Sequence, residues 1–241
     1  MTAQPDKTVD VRRKPKLPAA PRQRNPERTR QAILDAARSE FCQYGFSGAR
    51  VERISRKSKT NNRMIYHYFG NKEGVYLAVL ESVYGEIRKR EQRLDLANAE
   101  PIEGMRKLIL FTFDFFANRS DFLALISNEN ILKAKFLKRL PSIQAMTVPL
   151  VEVIRDLLER GQRQGKFRAG VDPVQLYVSI VAQSQLHISN RHTLSVLFNQ
   201  DLTDPDWLAE RRAHTLELLI NYLTAEPNAG RLHATSAAEP R

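Results

Sequence analysis

Four consecutive polar residues, Thr60, Asn61, Asn62 and Arg63, precede the run Met64-Ile65-Tyr66-His67-Tyr68-Phe69. Side chains of these types suit the edges of DNA bases. An arginine fork bonds guanine, and an asparagine amide bonds adenine or a phosphate. Arg63 and Asn62 are the candidates for those contacts, if their helix presents its first turn to DNA and docks its later apolar residues on its own domain. Catalytic chemistry has no comparable cluster: G-x-S-x-G, H-E-x-x-H and Walker A patterns are all missing. The five histidines are scattered, and His187 and His192 stand five apart, off the i,i+4 spacing that puts two metal ligands on one helix face. The chain therefore reads as a non-enzyme with no cofactor.

The elements that must position Thr60–Arg63 are helical. Apolar residues Ile33, Ala37, Phe41 and Tyr44 step by a helical period from Pro26, and Gly45 stops the run. A short helix follows over about 50–57, with Val51 and Ile54 inward. A turn at 58–61 leads into a second short helix over about 62–69, ended by Gly70. Two short helices around a tight turn, framed by longer ones, are what a helix-turn-helix requires. A fourth helix runs from 72 to about 94, roughly 35 Å at a rise of about 1.5 Å per residue. Further helices are expected at 101–117, 121–132, 142–164, 173–199 and 205–223. Asn25-Pro26, Asp172-Pro173 and Asp204-Pro205 pair a capping side chain with a proline at the first helical position, and Glu100-Pro101 is a weaker version. About nine helices and no convincing strand make an all-α fold.

The chain has 241 residues, of which 42% are hydrophobic, enough for a core, and a formal charge of +11. Residues 1–96 hold 21 Lys/Arg against 11 Asp/Glu, so nearly all the excess lies in the first two-fifths. Localised basic charge is the footprint of a nucleic-acid-binding module joined to a neutral one. Residues 1–24 read as a disordered basic tail, either merely solvated or adding phosphate contacts, and 225–241 as a second disordered tail. Between them lie a DNA-binding segment at 25–71 and a helical segment at 72–224. One cysteine excludes a disulfide scaffold. The uncharged stretch 173–190 is too polar to cross a bilayer, so a cytoplasmic protein with no membrane partner is expected, with Cys42 a reduced core thiol.

Residues 30–76 resemble the N-terminal domain of the TetR family of bacterial transcriptional repressors. The resemblance is carried by Ile33-Leu34, Ala36-Ala37, Phe41, Tyr44-Gly45-Phe46, Val51, Ile54 and, most specifically, Ile65-Tyr66-His67-Tyr68-Phe69-Gly70-Asn71-Lys72-Glu73. It implies that Tyr66 and His67 touch phosphate or base, and that Lys72 binds phosphate at a helix N-terminus, where the dipole already favours anions. Tyr68 and Phe69 read as core residues. Two departures stand out. Ser58-Lys59-Thr60 replaces the family's small–Gly–aliphatic turn, so Lys59 takes a conformation glycine favours or the turn is differently shaped. Ala49 stands where the family often has a capping Thr, leaving Ser47 or Arg50 to supply the lost cap and phosphate contact.

In the expected helix over 173–199, Leu176, Ile180, Gln183, His187, Asn190, Leu194 and Leu197 form one stripe. The opposite set, Val174, Tyr177, Val181, Ser184, Ile188, Ser195 and Phe198, is also largely apolar. A helix apolar on two sides needs two partners. TetR-like proteins pair their last two long helices with those of a second copy, which implies a homodimer and a pseudo-palindromic double-stranded DNA operator. Gln183, His187 and Asn190 are either polar anchors of a small-molecule cavity walled by Phe111, Phe115, Phe122 and Phe136, or seam and surface residues beside an ordinary core. The leading expectation is a repressor released by a small-molecule inducer. An all-α enzyme or binding protein with an incidental basic end, and a non-specific DNA-coating protein, are the alternatives.

Overall fold

The computed structural model describes residues 26–225; the expected tail 1–24, the expected tail 225–241 beyond Ala225, and the cap expected from Asn25 lie outside them. Ten α-helices are present among the described residues, with no strand. They are α1 (Pro26–Gly48), α2 (Val51–Ser58), α3 (Asn62–Phe69), α4 (Lys72–Gln92), α5 (Pro101–Ala117), α6 (Ser120–Ile131), α7 (Pro141–Arg163), α8 (Pro173–Ser189), α9 (Arg191–Phe198) and α10 (Pro205–Thr224). None of the described helices is long and apolar enough to cross a membrane.

Caps start the helices where the sequence placed them. Asp172 accepts from the Gln175 amide at 2.8 Å, and Asp204 from the Asp206 and Trp207 amides at 3.0 Å. Glu100, the weaker candidate, accepts from both the Ile102 and Glu103 amides. Each satisfies donors that the first helical turn leaves without partners. One expectation fails. The helix over 173–199 is two helices, broken at Asn190, which raises the count from nine to ten. The Asn190 side chain donates to the Leu186 carbonyl at 3.1 Å, and Thr193 Oγ1 donates to the Asn190 carbonyl at 2.9 Å. Local side-chain bonds of this kind compete with the helical ladder.

Two hydrophobic clusters hold the helices. The first joins α1–α4 to α6 and the α6–α7 connection, and includes Phe41, Ile54, Ile65, Tyr76, Leu125 and Phe136. The second joins α5, α7, α8 and α10 through Leu108, Ile154, Leu157, Ile180 and Leu223. Helices α1–α3 are thus not an isolated lobe. Tyr76, at the start of α4, has its ring centre 4.8 Å from Phe41 and 5.0 Å from Phe136. An ionic network crosses the same boundary. Glu86 of α4 takes Arg38 of α1 at 3.3 Å and Arg119 at 2.8 Å, and both arginines also pair with Asp121 of α6.

The candidate DNA interface

The turn between α2 and α3 is built by Lys59. Its φ/ψ of 54°/36° is left-handed, the conformation that glycine favours. Hydroxyls compensate. Ser55 Oγ donates to the Thr60 carbonyl at 2.8 Å, and the Ser58 and Thr60 hydroxyls stand 2.7 Å apart. Thr60 therefore spends its side chain on the turn. Asn61 caps α3 by accepting from the Met64 amide at 2.9 Å, so its oxygen too is structural, although the residue stays exposed.

Beyond that cap, α3 divides as a recognition helix must. Arg63, Tyr66 and His67 are exposed, Asn62 is half-buried, and Ile65 is fully buried in the first cluster. Tyr68 and Phe69 are partly buried against that cluster, and Arg30 lies 5.4 Å over the Phe69 ring. Gly70 closes the helix at φ 76°. Asn71 then caps α4, and Gly74 sits so close behind α3 that a Cβ there would meet the Phe69 carbonyl oxygen at 1.9 Å. Only glycine permits this junction, so Gly74 fixes the angle between α3 and α4.

Lys72 lies over the Phe46 ring at 4.8 Å and donates to the Ser47 carbonyl at 3.4 Å. Burial, and then the charge of Arg53, lower its pKa from the ordinary lysine value. An anion at the α4 N-terminus would offset both.

Arg50 is the exposed N-cap residue of α2, and its side chain makes no cap bond. The missing cap is replaced from a residue that the sequence pattern leaves unmarked. Glu40 of α1 is 6% exposed and accepts the Arg50 amide at 2.9 Å and Arg53 Nε at 2.6 Å. Burial would raise the Glu40 carboxyl, but the hydrogen bonds from Arg53 and the Arg50 amide hold it below the usual carboxylate value. Arg53 also donates to the Gly48 carbonyl and stacks on Tyr44. Glu40 and Arg53 thereby lock α2 onto α1.

Comparison with known proteins agrees with this construction. Residues 33–79 match the model for bacterial regulatory proteins of the tetR family, and residues 101–219 the tetracyclin repressor-like C-terminal domain. The transcriptional repressor NicS of Pseudomonas putida is 36% identical over 186 residues, spanning 76% of this chain and 88% of NicS. The chain belongs to the TetR family. YdgC, a transcriptional regulator of Bacillus subtilis, is 28% identical over 80% of this chain and 91% of its own. The crystal structure of SCO4942, a transcriptional regulator from Streptomyces coelicolor, is 26% identical, covers 81% of this chain and 98% of that one, and superposes with a TM-score of 0.60. This TetR-family chain is a DNA-binding transcriptional regulator.

The residues considered for a ligand cavity are not gathered into one place. Phe111, Phe115 and Phe122 form one aromatic group, with ring centres 6.0 and 5.3 Å apart along the series. Phe136 shares their hydrophobic cluster but packs with other rings, 4.3 Å from Phe46. His187 stacks on Phe113 at 5.1 Å and lies near Trp207. Burial, then Arg211, lowers its pKa to about 4. Gln183 accepts from Arg211 at 2.7 Å, and Asn190 sits at the α8–α9 break. A pocket of about 180 Å³ opens between α4, the turn at Asp95–Ala97 and α7, and none of these seven residues lines it.

Proposed function

We propose that the protein is a homodimeric cytoplasmic repressor that holds a pseudo-palindromic operator through two copies of α3 and releases it when a small molecule binds the helical domain. The observation that carries this reading is the exposed row Arg63, Tyr66 and His67 on a helix whose opposite side is buried. Arg63 reads base edges. Arg50, Lys72 and the amides at the α4 N-terminus supply phosphate contacts that set register without carrying sequence. Asn62, Tyr66 and His67 complete the base or phosphate contacts, while Thr60 and Asn61 act through the turn and the cap.

Dimerisation is supported by apolar residues left in solvent. Val174, Val178 and Leu186 of α8 are each more than half exposed, and with Ala182 they form one i,i+4 stripe. Leu218 and Tyr222 make a matching pair on α10. Apart from Val174, this stripe differs from both sets picked from periodicity: Leu176, Ile180 and His187 are buried, and Tyr177, Val181 and Ile188 are half-buried in their own chain. A contiguous apolar surface at this scale marks an interaction site. A two-fold axis through α8 and α10 sets two recognition helices about 34–36 Å apart, one turn of DNA. The effector must favour the state with the wrong spacing, since equal affinity for both states shifts nothing.

The test is discrimination between a selected duplex and its scrambled counterpart. The wild-type chain binds the selected duplex at least about a hundredfold more tightly, and the preference falls when Arg63 becomes Ala. Equal binding of both duplexes by the wild type would instead indicate a non-specific DNA-coating protein.

A further inference from the structure

The pocket between α4 and α7 has an apolar side and a polar side. Leu96, Met146, Leu150 and Val153 supply the apolar wall. Arg160 of α7 keeps the wall in place by donating to the carbonyls of Ala99 at 2.6 Å and Leu96 at 3.3 Å, which pins the turn after α4 against α7. Opposite stand Arg88, Glu91 and Asp95.

Arg88 and Glu91 are 8% and 4% exposed, an unusual depth for charged residues. Arg88 Nη1 faces Glu91 Oε2 at 2.7 Å, and Nη2 donates to the Tyr177 hydroxyl at 3.1 Å. That hydroxyl in turn donates to Glu91 Oε1 at 3.1 Å. The triangle is not fully satisfied: Arg88 Nη1 and Glu91 Oε2 are ion-paired without a hydrogen bond, and Arg88 Nε is buried with no acceptor in the protein. A buried guanidinium donor without a partner is costly, and a pocket-lining residue that carries one is set to meet an acceptor from outside. Water satisfies such a donor as well as a ligand does, but the apolar wall facing it offers water nothing.

We infer that this pocket binds a compact, uncharged, single-ring molecule whose carbonyl-type oxygen accepts from Arg88 while its ring lies on Leu96, Met146, Leu150 and Val153. Size sets the first limit, because an apolar cavity of about 150 Å³ holds one benzene ring. Charge sets the second. Glu91 already neutralises Arg88, and Asp95 stands at the rim, so the pocket offers a carboxylate no net attraction. Burial pushes the Glu91 carboxyl up to about 7, and where it is protonated Asp95 at the rim still balances the charge of Arg88. Calling the occupant an effector rests on the repressor reading; the binding site itself does not. Position makes it suitable for that role. Arg88 lies on α4, the helix that begins at Lys72, and Tyr177 on α8, the helix with the free apolar stripe.

Benzamide is the probe, titrated into the full chain without DNA and followed by ligand-observed NMR. The expected result is saturable binding of one benzamide per chain. Toluene, lacking the acceptor, and benzoate, carrying a charge, bind at least about tenfold more weakly. Ala97→Trp, a change at an exposed position on the pocket edge, abolishes binding, and Arg88→Met weakens it at least about tenfold. Arg88→Met also leaves Glu91 buried without its partner, so Ala97→Trp carries the test if that variant does not fold. Absence of saturable binding, equal binding of toluene or benzoate, or binding untouched by Ala97→Trp would each overturn the inference. Because no DNA is present, failure of operator recognition leaves this test standing, and failure of the probe leaves operator recognition standing.

Discussion

At the scale of single residues, the base-reading and phosphate-holding side chains separate by measurement. Arg63→Ala costs about 1–3 kcal/mol against the preferred base and relaxes preference at one position in each half-site. Lys72→Ala weakens binding to all duplexes alike and reduces the slope of affinity against salt by about one. Titration of binding against salt, on selected and scrambled duplexes, tells the two apart. His187 gives a stability test. It titrates at about 4 when folded, so the unfolded chain takes up its proton first, near 6.5. Stability is therefore lost as pH falls from about 6.5, and the loss is complete below about 4; each tenfold difference in proton affinity between the folded and unfolded chain corresponds to about 1.4 kcal/mol. Urea unfolding of His187→Phe should show a flatter dependence across that window. The positions of Arg63 on an exposed side of a short helix and of Lys72 at a helix start were legible in the sequence, because each needs only a local helix end and a turn. Glu40 was not legible. Its partner Arg53 lies on another helix, and a lone glutamate on a helix face usually faces solvent.

At the scale of elements, what could be read was local. Asp172, Asp204 and Glu100 announce their helices because a cap bonds within three residues of itself. Lys59 announced a strained turn, and the left-handed backbone there agrees. The break at Asn190 escaped because neither glycine nor proline marks it. The packing of α3 on α4 through Gly74 escaped because a glycine inside a helix carries no sign of what approaches it. Gly74→Ala forces the Phe69 carbonyl aside and is expected to lower the melting temperature by several degrees and weaken DNA binding more than Lys72→Ala does. Thermal unfolding and binding of the same preparation check both effects. Pro149 predicts the opposite sign. It is exposed inside α7 and removes one helical donor, so Pro149→Ala should raise the melting temperature.

At the scale of the whole molecule, charge, symmetry and ligand response must act together. In the proposed dimer, basic charge near the N-terminal helices attracts the duplex, the Glu86 network ties α1 and α4 to α6, the contacts of Arg88 and Glu91 with Tyr177 tie α4 to the second cluster, and the α8–α10 surface meets the second copy. A charge in the free stripe breaks that chain of effects at one point. Val178→Glu should leave the fold intact, halve the mass measured by light scattering, and lower operator affinity by well over tenfold by removing the second half-site. Periodicity suggested that α8 has two apolar sides, yet only tertiary packing decides which side its own domain covers. Selection of bound DNA from random duplexes tests the central claim most directly. The account predicts one enriched inverted repeat, with half-site centres one helical turn apart. An enriched motif without two-fold symmetry, or no enrichment, would contradict it.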